Sequence, residues 1–515
     1  MRTRFLAAVI LALFLIIPAC ADSDNNDDAS PNAGDDDMDD DTSDDDTFLP
    51  DDDTTNDDDD DDNDDNDNND NNDTSPPLPE GIYVSTEGDD ANPGTPDLPM
   101  RTIEAALSVA EAADVPVRVA AGEYQASLET TVSMYGGYNP HNWRRNIAAN
   151  ETTIVGLFGV SLYVWGGIET ETVVDGFSIS ATGPASGAAQ TVFLDGGKIT
   201  FSHNTVTGHD AAVDGYANGV SINGEGDFHI LRNRIKGGNS SGEFAKSFGL
   251  SIASHNGQVN VEGNSIYGGR AVDTSESGLS CGIGVEAVNS EVLIQRNVIG
   301  AGYAQGLYAA FTDGVDIVDG EVTLVNNIIT SGAAGGSPVT IAAGIHTYAT
   351  APPPLMLHNT IHPGLALYAF AVQLEGDATM IGNALHIAPG IFASVFATQA
   401  SSAGRIVIIG NNLQCLGWTC VLGSVGTDIP LITVRGVNAC DWPGCLEAHD
   451  NISEASAFAG MLDFHLTATS ALIDAGVDPT AWYDGDPLYV DIDGEARPVG
   501  EGWDIGADEA PVAVW

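Results

Sequence analysis

The chain has 515 residues and a formal net charge of −59, with 75 acidic side chains against 16 basic ones. This excess of negative charge excludes a nucleic-acid-binding protein that works by neutralising phosphates. The acidic residues are concentrated in one stretch, because residues 21–80 contain 28 of them and no basic residue.

The first 20 residues have the pattern of an export signal. Arg2 and Arg4 precede an apolar run from Phe5 to Ile17, which is short for a membrane span. The run ends in Ile-Pro-Ala-Cys20, which resembles the lipobox of bacterial lipoproteins, whose cysteine is lipidated. We therefore predict that residues 1–20 are a lipoprotein signal peptide and that Cys20 anchors the chain in a membrane. The resemblance implies the outer membrane or cell surface of a Gram-negative bacterium; the alternative is an ordinary secretory signal.

Residues 21–79 consist almost entirely of Asp, Asn, Thr and Ser. Such a segment has too little apolar surface to compensate its ordering entropy, and its like charges repel each other. We predict a disordered, acidic linker. Weak Ca²⁺ binding by its many carboxylates is the alternative role.

Residues 80–165 are predicted to form an N-terminal cap and the first coils of a larger β structure. Ile103, Ala106, Leu107 and Ala110 share one face of a short helix that begins near Thr102. An apolar helix face at this place suits a lid over open strand edges, which otherwise invite association. We therefore predict a capping helix rather than a catalytic element.

Residues 166–450 contain one recurring pattern: alternating apolar residues, an asparagine, any residue, an aliphatic residue and then a glycine. The intervals between the asparagines are 24 to 33 residues. A second strand in the units starts at a glycine, as at Gly219, Gly249, Gly282 and Gly344, and the stretches between lack helical periodicity. The repeated asparagines are Asn204, Asn233, Asn264, Asn297, Asn327, Asn359, Asn383 and Asn411.

This repeat predicts a parallel β-solenoid in which each unit is one coil, stacked on the previous one at roughly 4.8 Å. Helix-pair repeats need a different apolar spacing, and propeller blades are longer. Stacking would bring equivalent asparagines into a ladder, where each amide donates to one neighbour and accepts from the other. A role as simple turn formers would explain the asparagines but not their regular spacing.

The coil pattern resembles that of right-handed parallel β-helix repeat proteins, the superfamily that includes pectate lyases and polygalacturonases. Two flanking stretches are similar to the ends of a bacterial surface-lipoprotein subgroup. The first includes Tyr83–Thr95 and Tyr135–Tyr138, and the second includes Phe464–Leu466 and Asp504–Glu509. The resemblance implies an all-β, right-handed parallel β-helix with a short N-terminal capping helix, and residues 451–515 as a C-terminal cap segment.

The outer face of the coils contains candidate glycan-binding residues. Residues one and three positions after each glycine are apolar and are predicted to point inward, so those two and four positions after it point outward. With Gly306 as the glycine of one unit, four side chains share an outer face: Glu286, Tyr308, His346 and Tyr348. Rings beside a carboxylate and an imidazole suit sugar binding. The alternative is that they are unrelated surface residues.

Four cysteines are disulfide candidates in an exported chain: Cys415, Cys420, Cys440 and Cys445. They allow three pairings, and sequence does not choose among them. Zinc binding is the rival interpretation, but the spacing within each pair is wider than the usual one.

Two groups of carboxylates are candidates for chemistry. Asp210, Asp214, Asp313, Asp316 and Asp319 could supply the carboxylate pair of a hydrolase, although nearby glycines favour a turn-forming role. Near the C-terminus a further group could hold a Ca²⁺ ion: Asp491, Asp493, Asp504, Asp508 and Glu509.

Three functional hypotheses remain open. The first is a lipid-anchored β-helix at the cell surface that binds a polysaccharide or another surface ligand along its outer face without turnover. The second is a Ca²⁺-assisted polysaccharide lyase or a glycoside hydrolase, with no catalytic residue assigned. The third is a structural stalk or adhesin. A binder needs an aromatic strip, an enzyme needs convergent charged residues, and a stalk needs neither.

Overall fold

The computed structural model describes residues 80–511, except 158, 183–187, 212–214, 349–351, 387–391, 399–404, 415–421, 424–432, 443 and 461–462. Within this range the predicted fold class is confirmed: the chain forms an all-β, right-handed parallel β-helix with few helices. Successive long strands pair in parallel along the coils. The predicted signal peptide, Cys20 and the acidic linker lie outside the described residues.

In the part of the chain that the structure describes, three sheets run along the coils. The largest contains the strands Ile82–Val84, Val117–Ala120, Leu128–Thr130, Met134–Tyr138, Leu162–Trp165, Thr172–Asp175, Ala189–Ser202, Tyr216–Leu231, Lys246–His255, Gln258–Glu262, Ser277–Gln295, Ala309–Val325, Val339–Thr347, Leu355–Leu357, Tyr368–Leu374, Ala378–Ile381, Phe392–Thr398, Ile406–Ile409, Leu422–Gly423 and Cys445–His449. The second contains Gly122–Gln125, Thr152–Leu157, Ser178–Thr182, Thr205–Thr207, Arg234–Lys236, Ser265–Tyr267, Val298–Gly300, Ile328–Thr330, Thr360–His362, Ala384–Leu385 and Asn412–Leu413. The third contains Ser240–Gly242, Arg270–Asp273, Tyr303–Gln305 and Ala333–Ala334.

The repeated asparagines lie in one buried row at the turn between the first and second sheets. The backbone N–H of each donates to Oδ1 of the next one along the row, over 2.7–3.0 Å. The row extends past Asn411 to Asn451, which lies 40 residues further along the chain. Because every amide bonds to both neighbouring coils, the row satisfies polar groups that the turn would otherwise bury unpaired.

The residue before each ladder asparagine adopts a left-handed backbone conformation. Glycine occupies this position at Gly263, Gly382 and Gly410, but His203 and Arg232 have the same positive φ. This conformation is costly for residues other than glycine, so the packed turn must impose it. The turn thus has a fixed shape that each coil repeats.

Glycines also mark a bend inside the long strands. A Cβ atom on Gly282 would lie 2.6 Å from Ile299 Cγ2 and from the Gly314 carbonyl oxygen. The alternation of inward and outward residues shifts by one at the bend. Phe311, before the bend, packs in an apolar cluster on the outer side, whereas Val315 and Ile317, after the bend, belong to the main core. The bend therefore decides which side chains reach the outer face.

The N-terminal helix Ile103–Ala113 covers the first coils as predicted. Thr102 caps it by accepting a hydrogen bond from the backbone N–H of Ala105. Its buried residues are the four that the apolar spacing indicated: Ile103, Ala106, Leu107 and Ala110. They join the main core, which confirms the capping role.

At the other end, the short helix Val434–Asn438 closes the core. Val437 and Trp442 belong to the main core cluster, and Asn438 accepts hydrogen bonds from Asn451, the last member of the ladder. The described residues between 452 and 511 include the 3₁₀ turns Pro479–Ala481 and Asp486–Tyr489 and pack along the flank of the coils. Among the described residues, no helix is long and apolar enough to cross a lipid bilayer.

Candidate functional site

The structure changes the predicted register of one coil on the outer face. The strand Ala309–Val325 pairs Asp316 with Gly284 on one side and with His346 on the other, so Asp316 occupies the place predicted for Tyr308. Tyr308 is exposed and lies directly before this strand. The prediction took Gly306 as the glycine of this coil, but Gly314 occupies the bend. The error arose because a β-bulge opposite this strand alters the spacing to the next asparagine.

Of the four predicted glycan-binding residues, the structure brings two into contact. The rings of His346 and Tyr348 are 4.7 Å apart. Glu286 is exposed two strands away, where it pairs with Asp319 beside the bulge. The predicted set therefore does not form one cluster.

His346 instead forms a cluster with carboxylates from the two neighbouring coils. Its Nδ1 lies 3.0 Å from Asp316 Oδ1, and its Nε2 lies 3.6 Å from Glu375 Oε1. Asp313 lies on the same outer face as Asp316. Residues three apart in a straight strand would face opposite sides, but the bend at Gly314 lies between these two and turns both outward. Asp313, Asp316 and His346 are all buried, and both aspartates lie in a strand rather than in the turns that the sequence suggested.

The charges of this cluster act on its imidazole. Burial by itself would lower the pKa of His346, but its contacts with Asp316 and Glu375 and the charge of Asp313 raise this pKa to about 9. The cluster therefore holds an imidazolium between carboxylates at neutral pH. Such a group can hold or transfer a proton, or exchange the proton for a metal ion.

A second feature of the outer face was missed by the sequence analysis. Tyr163 and Trp165 in one coil and Phe193 in the next form an aromatic strip, with ring centroids 4.7 Å and 4.8 Å from that of Tyr163. Trp165 Nε1 donates to Glu129 Oε1 over 2.6 Å, and the Tyr163 hydroxyl donates to Asp195. Burial, together with the hydrogen bond to Asp195, raises the pKa of Tyr163.

The aromatic strip and His346 lie on the same surface of the solenoid. Glu129, Tyr163 and Phe193 are opposite one another in successive coils, and the same column continues to Asp316 and His346. The sequence does contain a signal for the aromatic strip. In the segment Leu162–Trp165, two inward aliphatic residues alternate with two aromatic ones. It lies before the first repeated asparagine, so the repeat pattern did not include it.

The predicted Ca²⁺ ligands have structural partners. Asp491 accepts hydrogen bonds from the backbone N–H groups of Asp493, Glu495 and Glu509. The other buried carboxylates also accept backbone N–H groups, and Glu509 pairs with Arg497 over 3.1 Å.

Of that predicted set, Asp493 and Asp508 lie close to a third potential ligand, His465. The remaining oxygens stabilise turns of the C-terminal segment.

Among the predicted disulfide cysteines, the structure pairs Cys440 with Cys445. This is one of the pairings that the sequence left open, and it links the end of the helix Val434–Asn438 to the next strand. Cys415 and Cys420 lie outside the described residues.

Comparisons with known proteins agree with the fold. A family model described as "Right handed beta helix region" matches residues 172–362, the coils from strand Thr172–Asp175 to strand Thr360–His362. No curated protein matches the chain significantly.

Three solved structures match the chain at low sequence identity. The crystal structure of pectate lyase Pel9A is 14% identical, with a TM-score of 0.40, over 84% of this chain and 97% of that one. Dettilon tailspike protein is 13% identical, with a TM-score of 0.33, over 59% of this chain and 64% of that one. A rhamnogalacturonan lyase is 14% identical, with a TM-score of 0.26, over 74% of this chain and 91% of that one.

Proposed function

We propose that the protein is an exported, lipid-anchored β-helix that binds glycan along its outer face without turnover. The observation that carries this proposal is the aromatic strip of Tyr163, Trp165 and Phe193. Sugar rings stack their C–H faces on aromatic rings, and nearby carboxylates accept hydrogen bonds from sugar hydroxyls. Glu129 and Asp195 supply such carboxylates and also fix the orientation of Trp165 and Tyr163.

The charge of this surface favours neutral or amino sugars over polyuronates. Two carboxylates border the aromatic strip, and the chain as a whole has a large negative charge. These negative charges would repel an anionic polysaccharide that comes within the Debye screening length of physiological salt. We therefore expect binding to a neutral or cationic glycan.

The experiment is retention of the protein in gels that contain one of a panel of neutral, cationic and acidic polysaccharides. Trp165→Ala removes the exposed ring of the strip and should weaken binding on the order of tenfold, which corresponds to about 1.4 kcal/mol. Trp482→Ala, which removes a similarly exposed indole from the C-terminal segment, is the matched control and should bind as the wild type does. Unchanged retention of Trp165→Ala would contradict the proposal. Absence of retention on any glycan would favour a stalk or adhesin.

A Ca²⁺-assisted polysaccharide lyase or a glycoside hydrolase is the second candidate. It is favoured by His346 between Asp316 and Glu375, because an imidazole held by carboxylates can transfer protons. Incubation with acidic polysaccharides and Ca²⁺ would reveal unsaturated products by absorbance, and new reducing ends would reveal hydrolysis. Product formation that His346→Gln abolishes would replace the proposal of binding without turnover.

The membrane anchor is proposed on the sequence alone, from the apolar run that ends at Cys20. In a Gram-negative host, the wild-type protein should sediment with the membrane fraction, and Cys20→Ser should move it to the soluble fraction. Mass spectrometry of the mature N-terminus should detect a lipidated cysteine. An unmodified N-terminus after a different cleavage site would favour an ordinary secretory signal.

A further inference from the structure

The glycan-binding proposal leaves one buried cluster of the outer face without a role. Asp313 and Asp316 come from the strand Ala309–Val325, and His346 comes from the neighbouring strand Val339–Thr347. One potential ligand atom from each of the three lies within 4.8 Å of the others. Two buried carboxylates at such a distance disfavour each other's ionised form unless positive charge is nearby.

The imidazole is oriented as metal-binding imidazoles are. Its Nδ1 is 3.0 Å from Asp316 Oδ1, and two atoms bound to one tetrahedral zinc ion are roughly 3.3 Å apart. Its Nε2 is buried without a hydrogen-bond partner among the described residues, 3.6 Å from Glu375 Oε1. Metal-bound histidines commonly donate their other N–H group to a carboxylate, which is the position that Glu375 occupies.

We propose that Asp313, Asp316 and His346 bind one Zn²⁺ ion, with Glu375 holding the imidazole in place. The ligand types favour this ion over Ca²⁺ and Mg²⁺, because imidazole suits zinc, whereas Ca²⁺ and Mg²⁺ take oxygen ligands. Three protein ligands leave a fourth position for water or for an oxygen atom of a bound molecule. Glu375 follows the strand Tyr368–Leu374, so the site links three consecutive coils.

The test is a calorimetric titration of the chelator-treated, full-length protein with Zn²⁺. Millimolar Ca²⁺ in the buffer occupies the weak sites that the acidic residues 21–80 offer. We expect one saturable Zn²⁺ per wild-type chain, and at least a hundredfold weaker binding by His346→Gln and Asp316→Asn. Glu375→Gln should weaken binding on the order of 10- to 100-fold.

The matched control is His449→Gln. His449 is an exposed histidine that also contacts two carboxylates, with Nδ1 2.8 Å from Asp450 and Nε2 3.3 Å from Glu447. This variant should bind Zn²⁺ as the wild type does. Circular dichroism shows whether each variant folds, and equal Zn²⁺ affinity in folded His346→Gln and wild type would overturn the proposal.

A titration of the wild type with Co²⁺ keeps the proposal testable even if the variants do not fold. A tetrahedral site with a nitrogen ligand should give visible absorption bands that saturate at one Co²⁺ per chain and disappear when Zn²⁺ is added. Absence of both these bands and saturable Zn²⁺ binding would overturn the proposal. The cluster would then bind no metal ion, and its carboxylates would only hold the protonated imidazole of His346.

Discussion

Single asparagine side chains link neighbouring coils in this molecule. Asn297 is fully buried, donates to the carbonyl of Val261 and to Oδ1 of Asn327, and accepts from the backbone N–H of Asn264. One residue therefore bonds to the coil before it and to the coil after it. Neither serine nor glycine could make this set of bonds, because neither has an amide group.

We predict that Asn297→Ala lowers the free energy of unfolding by about 2–4 kcal/mol, because it leaves buried N–H and C=O groups of two coils unpaired. Asn223→Ala, which truncates an exposed asparagine, should cost less than about 0.5 kcal/mol. Urea denaturation of both variants measures the difference. Similar losses for the two would mean that the ladder contributes little to stability.

A buried histidine makes stability depend on pH. His386 contacts Gln414 and the ring of Phe458, and burial, with the Gln414 contact opposing it, lowers its pKa from 6.5 to about 4. Between these two values the unfolded chain binds a proton that the folded chain does not. The folded state therefore loses stability as the pH falls from about 6.5 to about 4.

We predict that the loss from His386 amounts to roughly 3 kcal/mol, since each pKa unit corresponds to about 1.4 kcal/mol. His386→Gln should reduce the difference in unfolding free energy between pH 7 and pH 4 by about this amount. His255→Gln, which changes an exposed histidine, should retain the wild-type difference. An unaltered pH dependence in His386→Gln would show that this histidine is not buried in its neutral form.

At the level of the strands, the bend glycines shape the coil. Gly282 packs so closely against Ile299 and the backbone of the next coil that no side-chain atom fits. Gly314 and Gly344 occupy the same position in the following coils. The bend lets one strand serve two faces of the solenoid.

We predict that Gly282→Ala destabilises the protein by about 1–3 kcal/mol, because the new methyl group overpacks the core. Gly335→Ala is the matched control, since its added Cβ would meet only the hydroxyl and ring of Tyr303, at ordinary contact distances of 3.4–3.9 Å. Thermal unfolding distinguishes the two variants. Equal midpoints would indicate that the bend has room for a side chain.

The strands also show which part of the site sequence could predict. The column of outward residues was predicted correctly where the glycine and asparagine spacing is regular, and it placed His346 beside Tyr348. It failed at Tyr308, because a bulge and a shorter coil moved Asp316 into that position. Alternation alone also hid Asp313, since residues three apart in a straight strand face opposite sides and only the bend at Gly314 turns both outward.

For the whole molecule, a buried cation helps to hold the C-terminal segment to the flank of the coils. Arg497 pairs with Glu509 at 3.1 Å and donates to Asn326 Oδ1 at 2.7 Å, although Asn326 is 171 residues away in the sequence. Apolar contacts accompany this pair, since Leu488 and Trp503 pack on outward side chains of the coils. The segment thus covers an apolar flank that would otherwise be exposed.

We predict that Arg497→Met lowers the free energy of unfolding by about 3–5 kcal/mol, because it leaves the Glu509 carboxylate buried without its cation. Arg435→Met, which changes an exposed arginine, should cost little. Limited proteolysis should detect earlier cleavage within residues 452–511 in Arg497→Met only. Wild-type resistance in that variant would mean that the apolar contacts alone hold the segment.

The sequence by itself determined the coil, its direction of stacking and its N-terminal helix, because these depend on periodic signals that repeat along the chain. The repeat pattern missed Asn451, because its coil is longer and because Ser453 stands where the pattern has an aliphatic residue. The tertiary structure alone decided which side chains meet on the outer face and which carboxylates stabilise the flank. Those positions are fixed by bends, by bulges and by contacts between residues as many as 171 positions apart in the sequence. Such features leave no periodic pattern in the sequence.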